Sequence, residues 1–179
     1  MLRSLICVLM VALLACSPVA FAQTAIDPED DAFLEELSRR SFDFFWRTGD
    51  PVTGLIPDRA AADGSWAGDV SSIASIGFGL TAYTIGAERG WISRDQAYDR
   101  TLNTLRDLHD ELENVHGFYY HFVSMETGER VWNCELSSID TALLIAGVLS
   151  SKAYFPGTEA EALAQKLYDR VEWPWMHDG

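Results

Sequence analysis

Trp132-Asn133-Cys134-Glu135-Leu136-Ser137-Ser138-Ile139-Asp140-Thr141-Ala142-Leu143-Leu144-Ile145-Ala146-Gly147-Val148-Leu149 is the stretch whose reading decides the fold. From Ile139 onward Ala142, Leu143, Leu144, Ile145, Ala146, Val148 and Leu149 leave no polar face, and a helix that is apolar all round has to be enclosed by other elements. Ser137, followed three residues later by Asp140, fits the pattern in which a hydroxyl and a carboxylate satisfy the free amides of a first turn. A buried helix is therefore predicted over residues 138–154. Glu135 and Asp140 bracket its positive end, where a carboxylate is either a cap or a working acid.

The same phrase occurs earlier. Asp69-Val70-Ser71-Ser72-Ile73 matches Glu135-Leu136-Ser137-Ser138-Ile139 position by position, at an offset of 66 residues. Each copy opens a helix of small and apolar residues, so the repeat predicts stacked helical hairpins with inner and outer members. In this register Glu135 matches Asp69, whereas Asp140 matches Ala74, so the repeat itself does not require the acid at 140.

Outward from these copies, apolar residues recur at helical spacing over Phe33 to Trp46, with Gly49-Asp50-Pro51 closing that helix. Residues 72–87 read as the first inner helix, 93–113 and 158–171 as outer helices, and 117–132 as a β-hairpin. Thr53 to Arg59 reads as an ordered loop and Ala60 to Gly68 as a looser one. By the repeat, a third inner helix would open near residue 203, beyond Gly179. The sequence thus reads as about five helices of a longer all-α domain, poorly stable alone.

Met1 to Ala22 reads as an export signal. Arg3 supplies the basic start, Leu5 to Ala15 the apolar run, and Ala20-Phe21-Ala22 the cleavage site before Gln23. The alternative is a lipoprotein box, Leu13-Leu14-Ala15-Cys16, which would leave Cys16 lipidated. A periplasmic or secreted protein is expected, with a loose lead-in over 23–31 and the domain over 32–179. Of the 13 basic residues one lies in the signal, so the mature chain carries a formal charge of −15. Such acidity argues against nucleic acid or an anionic membrane surface as partner, and fits a neutral ligand. No membrane partner is expected unless Cys16 is lipidated, and a monomer is expected at full length. Cys7 and Cys16 fall in the signal, so Cys134 is left without a disulfide partner and reads as a small core residue.

Six ordered blocks carry a resemblance. They are Phe42-Asp43-Phe44-Phe45-Trp46, Thr53-Gly54-Leu55-Ile56-Pro57-Asp58-Arg59, Ser72-Ile73-Ala74-Ser75-Ile76-Gly77-Phe78, Gly86-Ala87-Glu88-Arg89-Gly90-Trp91-Ile92, Gly117-Phe118-Tyr119-Tyr120-His121-Phe122 and Glu135 to Leu144. Together they resemble the bacterial glucoamylase-like family, which includes endo-β-1,2-glucanases. The resemblance covers about Phe33 to Trp175, and implies an (α/α)₆ toroid whose inner helices direct their starts at a glycan cleft. It also implies a glycoside hydrolase acting on an oligo- or polysaccharide.

Glycosidic hydrolysis needs one carboxylic acid to protonate the leaving oxygen and a carboxylate on the other face. Asp140 and Glu135 are the catalytic candidates. Asp58 and Arg59 could clamp adjacent hydroxyls; Asp69 is a further contact by the repeat. Tyr119, Tyr120, His121 and Trp132 lie next to the acids, where aromatic rings could stack on pyranose faces. Phe118 and Phe122 read as core. The His residues are not at metal-ligand spacing and no nucleotide-binding loop occurs, so neither metal nor cofactor is expected. Two rivals from other classes remain. One is a silent glycan-binding domain on the same toroid. The other is a lyase using Tyr120 and His121, which the negative charge disfavours because lyases take acidic polysaccharides.

Overall fold

The computed structural model describes residues 26–178; the expected signal over 1–22, with Cys7 and Cys16, lies outside the described residues. Among the described residues, those from 26 to 35 belong to one unit and those from Glu36 onward to another, and the packing described below is that of the second.

Helix α1 (Pro28–Thr48) starts earlier than apolar spacing predicts. Asp27 accepts the Glu29 N–H at 2.9 Å, and Glu29, Asp30 and Asp31 sit in the first turn, where negative charge suits the helix end. Residues 28–31 of the expected lead-in are therefore helical. Past Thr48 the chain turns at Gly49-Asp50-Pro51 as predicted. There the Asp50 carboxylate accepts the N–H groups of Val52 and Thr53 at 2.8 and 2.9 Å.

A short strand β1 (Val70–Ser72) leads into helix α2 (Ile73–Glu88), and helix α3 (Arg94–Asp110) follows behind a capping box of Ser93 and Gln96. Three short strands come next, β2 (Asn114–Val115), β3 (Phe118–Tyr119) and β4 (Phe122–Ser124). Helix α4 (Ser138–Tyr154) has the bounds its sequence predicts; α5 (Glu159–Arg170) and a short α6 (Trp173–Asp178), which apolar spacing does not announce, complete the chain.

Helices α2 and α4 form the inner pair, with α3 packed on α2, α5 on α4, and α3 against α5. Their crossing is set by two glycines. A methyl on Gly77 would lie 2.6 Å from the Leu144 Cα, and one on Gly147 would lie 2.7 Å from the Gly77 Cα, so only glycine lets the backbones approach this closely. Ile56, Ile73, Ile76, Leu80, Tyr83, Leu105, Leu144 and Val148 fill the core around that contact. The expectation that α4 is enclosed on every side is corrected in part, because Ile139, Ala146 and Leu149 are exposed along one stripe, as are Phe78 and Ile85 on α2.

The hairpin expected over 117–132 is also redrawn. β4 does turn back, with the Ser124 N–H on the Glu129 carbonyl and the Val131 N–H on the Phe122 carbonyl, but its full antiparallel partner is β1, in the register Ser71 to Val123. β2 and β3 form a separate two-stranded sheet. The loop 60–68 is tighter than expected, since the Ala61 N–H bonds the Trp66 carbonyl at 2.8 Å and Gly64 turns the chain at φ 73°.

Candidate active site

The starts of α2 and α4 meet at one residue. The His121 carbonyl accepts the Ile73 N–H at 3.1 Å, and the His121 N–H donates to the Glu135 carbonyl at 3.0 Å. The Ser137 N–H on the Tyr119 carbonyl, 3.0 Å, extends this seam to the first turn of α4. Main-chain bonds alone thus bring the two repeat copies and the segment between them to the same end of the inner pair.

The repeat copies then use their serines differently. Ser137 caps α4: its hydroxyl accepts the Asp140 N–H at 3.1 Å and donates to Asp140 Oδ2. Its counterpart Ser71 is fully buried and accepts the Ile56 N–H at 3.2 Å, which ties the 53–59 loop to β1. Ser72 precedes α2 without a side-chain cap.

The side chains of the two candidate acids converge on the His121 ring. Its Nδ1 lies 2.9 Å from Glu135 Oε1 and its Nε2 3.6 Å from Asp140 Oδ2. Asp140 is 9 % exposed, whereas Glu135 stands in solvent. A hydrogen bond from its own main-chain N–H, then the bond from His121, hold the Glu135 carboxyl below the usual range. Glu135 is accordingly suited to act as a carboxylate, and Asp140 is the more withdrawn from solvent of the two.

A second group lies beside this one. Asp58, Arg59, Asp69 and Trp132, all candidates from the sequence, line a cleft of about 220 Å³ together with Trp66 and Val70. Asp58 and Arg59 pair with each other at 2.6 Å, and the Asp58 N–H is fixed on the Val70 carbonyl at 2.8 Å. Trp132 and Asn133 both hold left-handed backbone, φ 55° and 48°, which costs on the order of 1–3 kcal/mol per residue away from glycine. Arg130, whose guanidinium donates to the Asn133 carbonyl at 2.7 Å and lies over the Tyr120 ring, clasps that turn. The strained turn leaves Trp132 69 % exposed at the cleft. An aromatic run of His121, Phe122 and Trp132 joins the cleft to the paired acids, with ring centres 3.7 and 5.3 Å apart.

Tyr119 does not belong to the site. It is 1 % exposed, its hydroxyl donates to the Leu108 carbonyl at 2.8 Å, and burial pushes its pKa up to about 12. The ring is a core residue; in the tight 117–122 segment it is Tyr120, half-buried beneath Arg130, that stays near the surface. His121 is partly open to solvent, with its Nδ1 on the Glu135 carboxylate. Phe118 is buried as expected, and Cys134 is a buried thiol bonded to the Phe122 main chain. Trp66 was not legible as a site residue, although Asp63-Gly64 is a turn dipeptide that announces the ordered loop presenting it. Among the described residues, no cluster of His, Cys, Asp and Glu is arranged to hold a metal ion.

No family model matches the chain. It is 28% identical over 160 residues to the exo β-1,2-glucooligosaccharide sophorohydrolase (non-reducing end) of Parabacteroides distasonis, which takes in 82% of this chain and 21% of that protein. Among solved structures, the endo-β-1,2-glucanase of Chitinophaga pinensis, in complex with sophorotriose and glucose, matches with a TM-score of 0.74 and 28% identity over 87% of this chain and 39% of that one. A Bacteroides fragilis protein described provisionally as a glucoamylase matches with a TM-score of 0.72 and 28% identity, over 88% of this chain and 40% of that one. The chain thus spans about a fifth of the curated relative and about two fifths of the solved structures. These likenesses bear out the resemblance read from the six blocks and the helical toroid architecture it implies, of which this chain supplies a part.

Proposed function

We propose that this chain is the N-terminal part of an exported glycoside hydrolase acting on neutral β-1,2-glucan, with Asp140 and Glu135 as its working carboxylates. The observation that carries the reading is the convergence of those acids on one imidazole, at the start of the inner helices and beside a tryptophan-lined cleft. A glycan fits such a place. Trp66 and Trp132 offer flat apolar faces to pyranose rings, and Asp58, Arg59 and Asp69 offer acceptors and donors to hydroxyls. In the reaction Asp140 gives its proton to the glycosidic oxygen as that oxygen's bond to the anomeric carbon breaks, and the carboxylate left behind keeps the Ser137 hydroxyl as donor. A water supplies both the oxygen that ends on the anomeric carbon and the proton that restores the acid. Glu135 acts as a carboxylate.

The test is release of short oligosaccharides from linear β-1,2-glucan by the whole protein. Asp140→Asn and Glu135→Gln keep size and most hydrogen bonding, and loss of general acid catalysis costs on the order of 10²-fold or more in rate. At least one variant should therefore lose that much turnover while melting near the wild type. Turnover within threefold in both would move the chemistry elsewhere. A second reading, glycan binding without hydrolysis, is favoured by the exposure of Glu135 alone; binding of β-1,2-glucan with no products would establish it. Export is proposed from Met1 to Ala22, and mass spectrometry of the mature protein should find Gln23 as its first residue, with lipidated Cys16 as the opposing result.

A further inference from the structure

The His121 ring is fixed from every side. It stacks on Phe122 at 3.7 Å, its main chain is bonded to both Ile73 and Glu135, and its nitrogens face Glu135 and Asp140 at 2.9 and 3.6 Å. An ionised carboxylate only accepts hydrogen bonds, so Nδ1 carries its proton toward Glu135. Nε2 then faces Asp140 Oδ2, an oxygen that already accepts the Ser137 hydroxyl. At 3.6 Å the two atoms are in electrostatic contact rather than joined by a hydrogen bond, so the charge state of either group acts directly on the other. The charged groups around the ring are Glu135 ahead of α4, Asp140 in its first turn, and Arg130 acting on Glu135. β1 and the first turn of α2 contribute no ionisable side chain.

We propose that His121 is a positioning residue that links Glu135 and Asp140 into one electrostatic unit, fixing the Glu135 carboxylate through Nδ1 and facing Asp140 Oδ2 with Nε2. The inference rests on the reading of those acids as the working pair. It departs from a sugar-contacting role for Nδ1, because a sugar hydroxyl reaching that nitrogen would have to displace the Glu135 carboxylate. It also explains why the ring is stacked and its main chain bonded on both sides, since a carboxylate is aimed only by a partner that is itself fixed.

The experiment labels histidine side chains with nitrogen-15 in the whole protein and follows the His121 ring signals in wild type, Glu135→Gln and Asp140→Asn. Each substitution should move both ring nitrogens, including the one it does not face. Glu135 is exposed, so Glu135→Gln tests the link without disturbing the fold. Signals unmoved by that change would overturn the proposal. Kinetics supply the second arm. His121→Asn should lower kcat by about 10- to 100-fold with little change in KM, the usual loss when a supporting hydrogen-bond partner is removed. It should also move the acidic limb of kcat to higher pH, because Glu135 loses a bond that favours its charged form. A loss of kcat with the limb unmoved would assign His121 a packing role and sink the proposal. Absence of glucan hydrolysis in the wild type would remove the catalytic reading, while the nitrogen signals would still decide whether the three groups are linked.

Discussion

At the scale of single residues, the acids of this chain have been sorted by their surroundings rather than by their type. Asp50 and Glu135 are carboxyls held down by main-chain N–H groups, whereas Asp107 on α3 is pushed up to about 6, first by burial and then by the charges of Glu111 and Asp50. The sign of the Asp107 effect follows. Below about pH 4 the group is neutral whether folded or not; as pH rises through 6 the folded state has to ionise an acid it would keep protonated, so stability falls. Two pKa units correspond to nearly 3 kcal/mol, but Asp107 is only partly buried, and about 1–2 kcal/mol is the appropriate expectation. Asp107→Asn should therefore raise the melting temperature of the whole protein by a few degrees at pH 7.5 and leave it unchanged at pH 4. Equal shifts at both pH values in differential scanning calorimetry would contradict this. The same sorting shows the limit of the sequence. Glu135 and Asp140 were visible as candidates because both flank a readable helix start, but the imidazole between them depends on main-chain bonds across 14 residues, which no local pattern encodes.

At the scale of elements, what was legible was what is local. α4 has the bounds read from its apolar run and its Ser137 cap, because capping and helical periodicity act within a turn or two. The pairing of β1 with β4 joins segments about fifty residues apart, and nothing in Val70-Ser71-Ser72 distinguishes a strand edge from a helix approach. The repeat does not extend to the duties of its serines: Ser137 caps a helix, whereas its counterpart Ser71 tethers a loop. The contact between α2 and α4 is the element-level feature most open to test. Overpacking of a tight interface costs typically 1–3 kcal/mol. At Gly147 the opposing atoms are Gly77 main chain, which cannot rotate away, so Gly147→Ala should reach the upper end of that range in urea unfolding. Gly90 is the control, for it closes α2 with open space where a side chain would go; its φ of 69° alone sets the smaller cost of Gly90→Ala. A Gly147→Ala variant no less stable than Gly90→Ala would mean the helices do not meet as described.

At the scale of the whole molecule, the apolar residues divide into two populations. One fills the core between the inner pair and the outer helices. The other faces out: Phe78 and Ile85 on α2, Ile139 and Leu149 on α4, and a groove of about 470 Å³ between α1 and α2 lined by Leu37, Phe45, Phe78 and Ile85. Exposed apolar residues scattered singly need no explanation, but stripes at helical spacing on adjacent helices do. The comparisons supply one, since this chain covers only about two fifths of the solved structures it matches. Residues 26–178 produced alone should accordingly expose this second population. They should bind a hydrophobic dye such as anilinonaphthalene sulfonate strongly, melt with low cooperativity and associate at micromolar concentration, whereas the whole protein should show none of these. Replacing Phe78, Ile85, Ile139 and Leu149 by Ser or Gln should reduce dye binding by the fragment without lowering its helix content, because none of the four fills the core. A monomeric fragment that melts sharply and leaves the dye dark would mean these stripes are ordinary solvent-facing surface, and the toroid beyond them contributes nothing to the stability of this part.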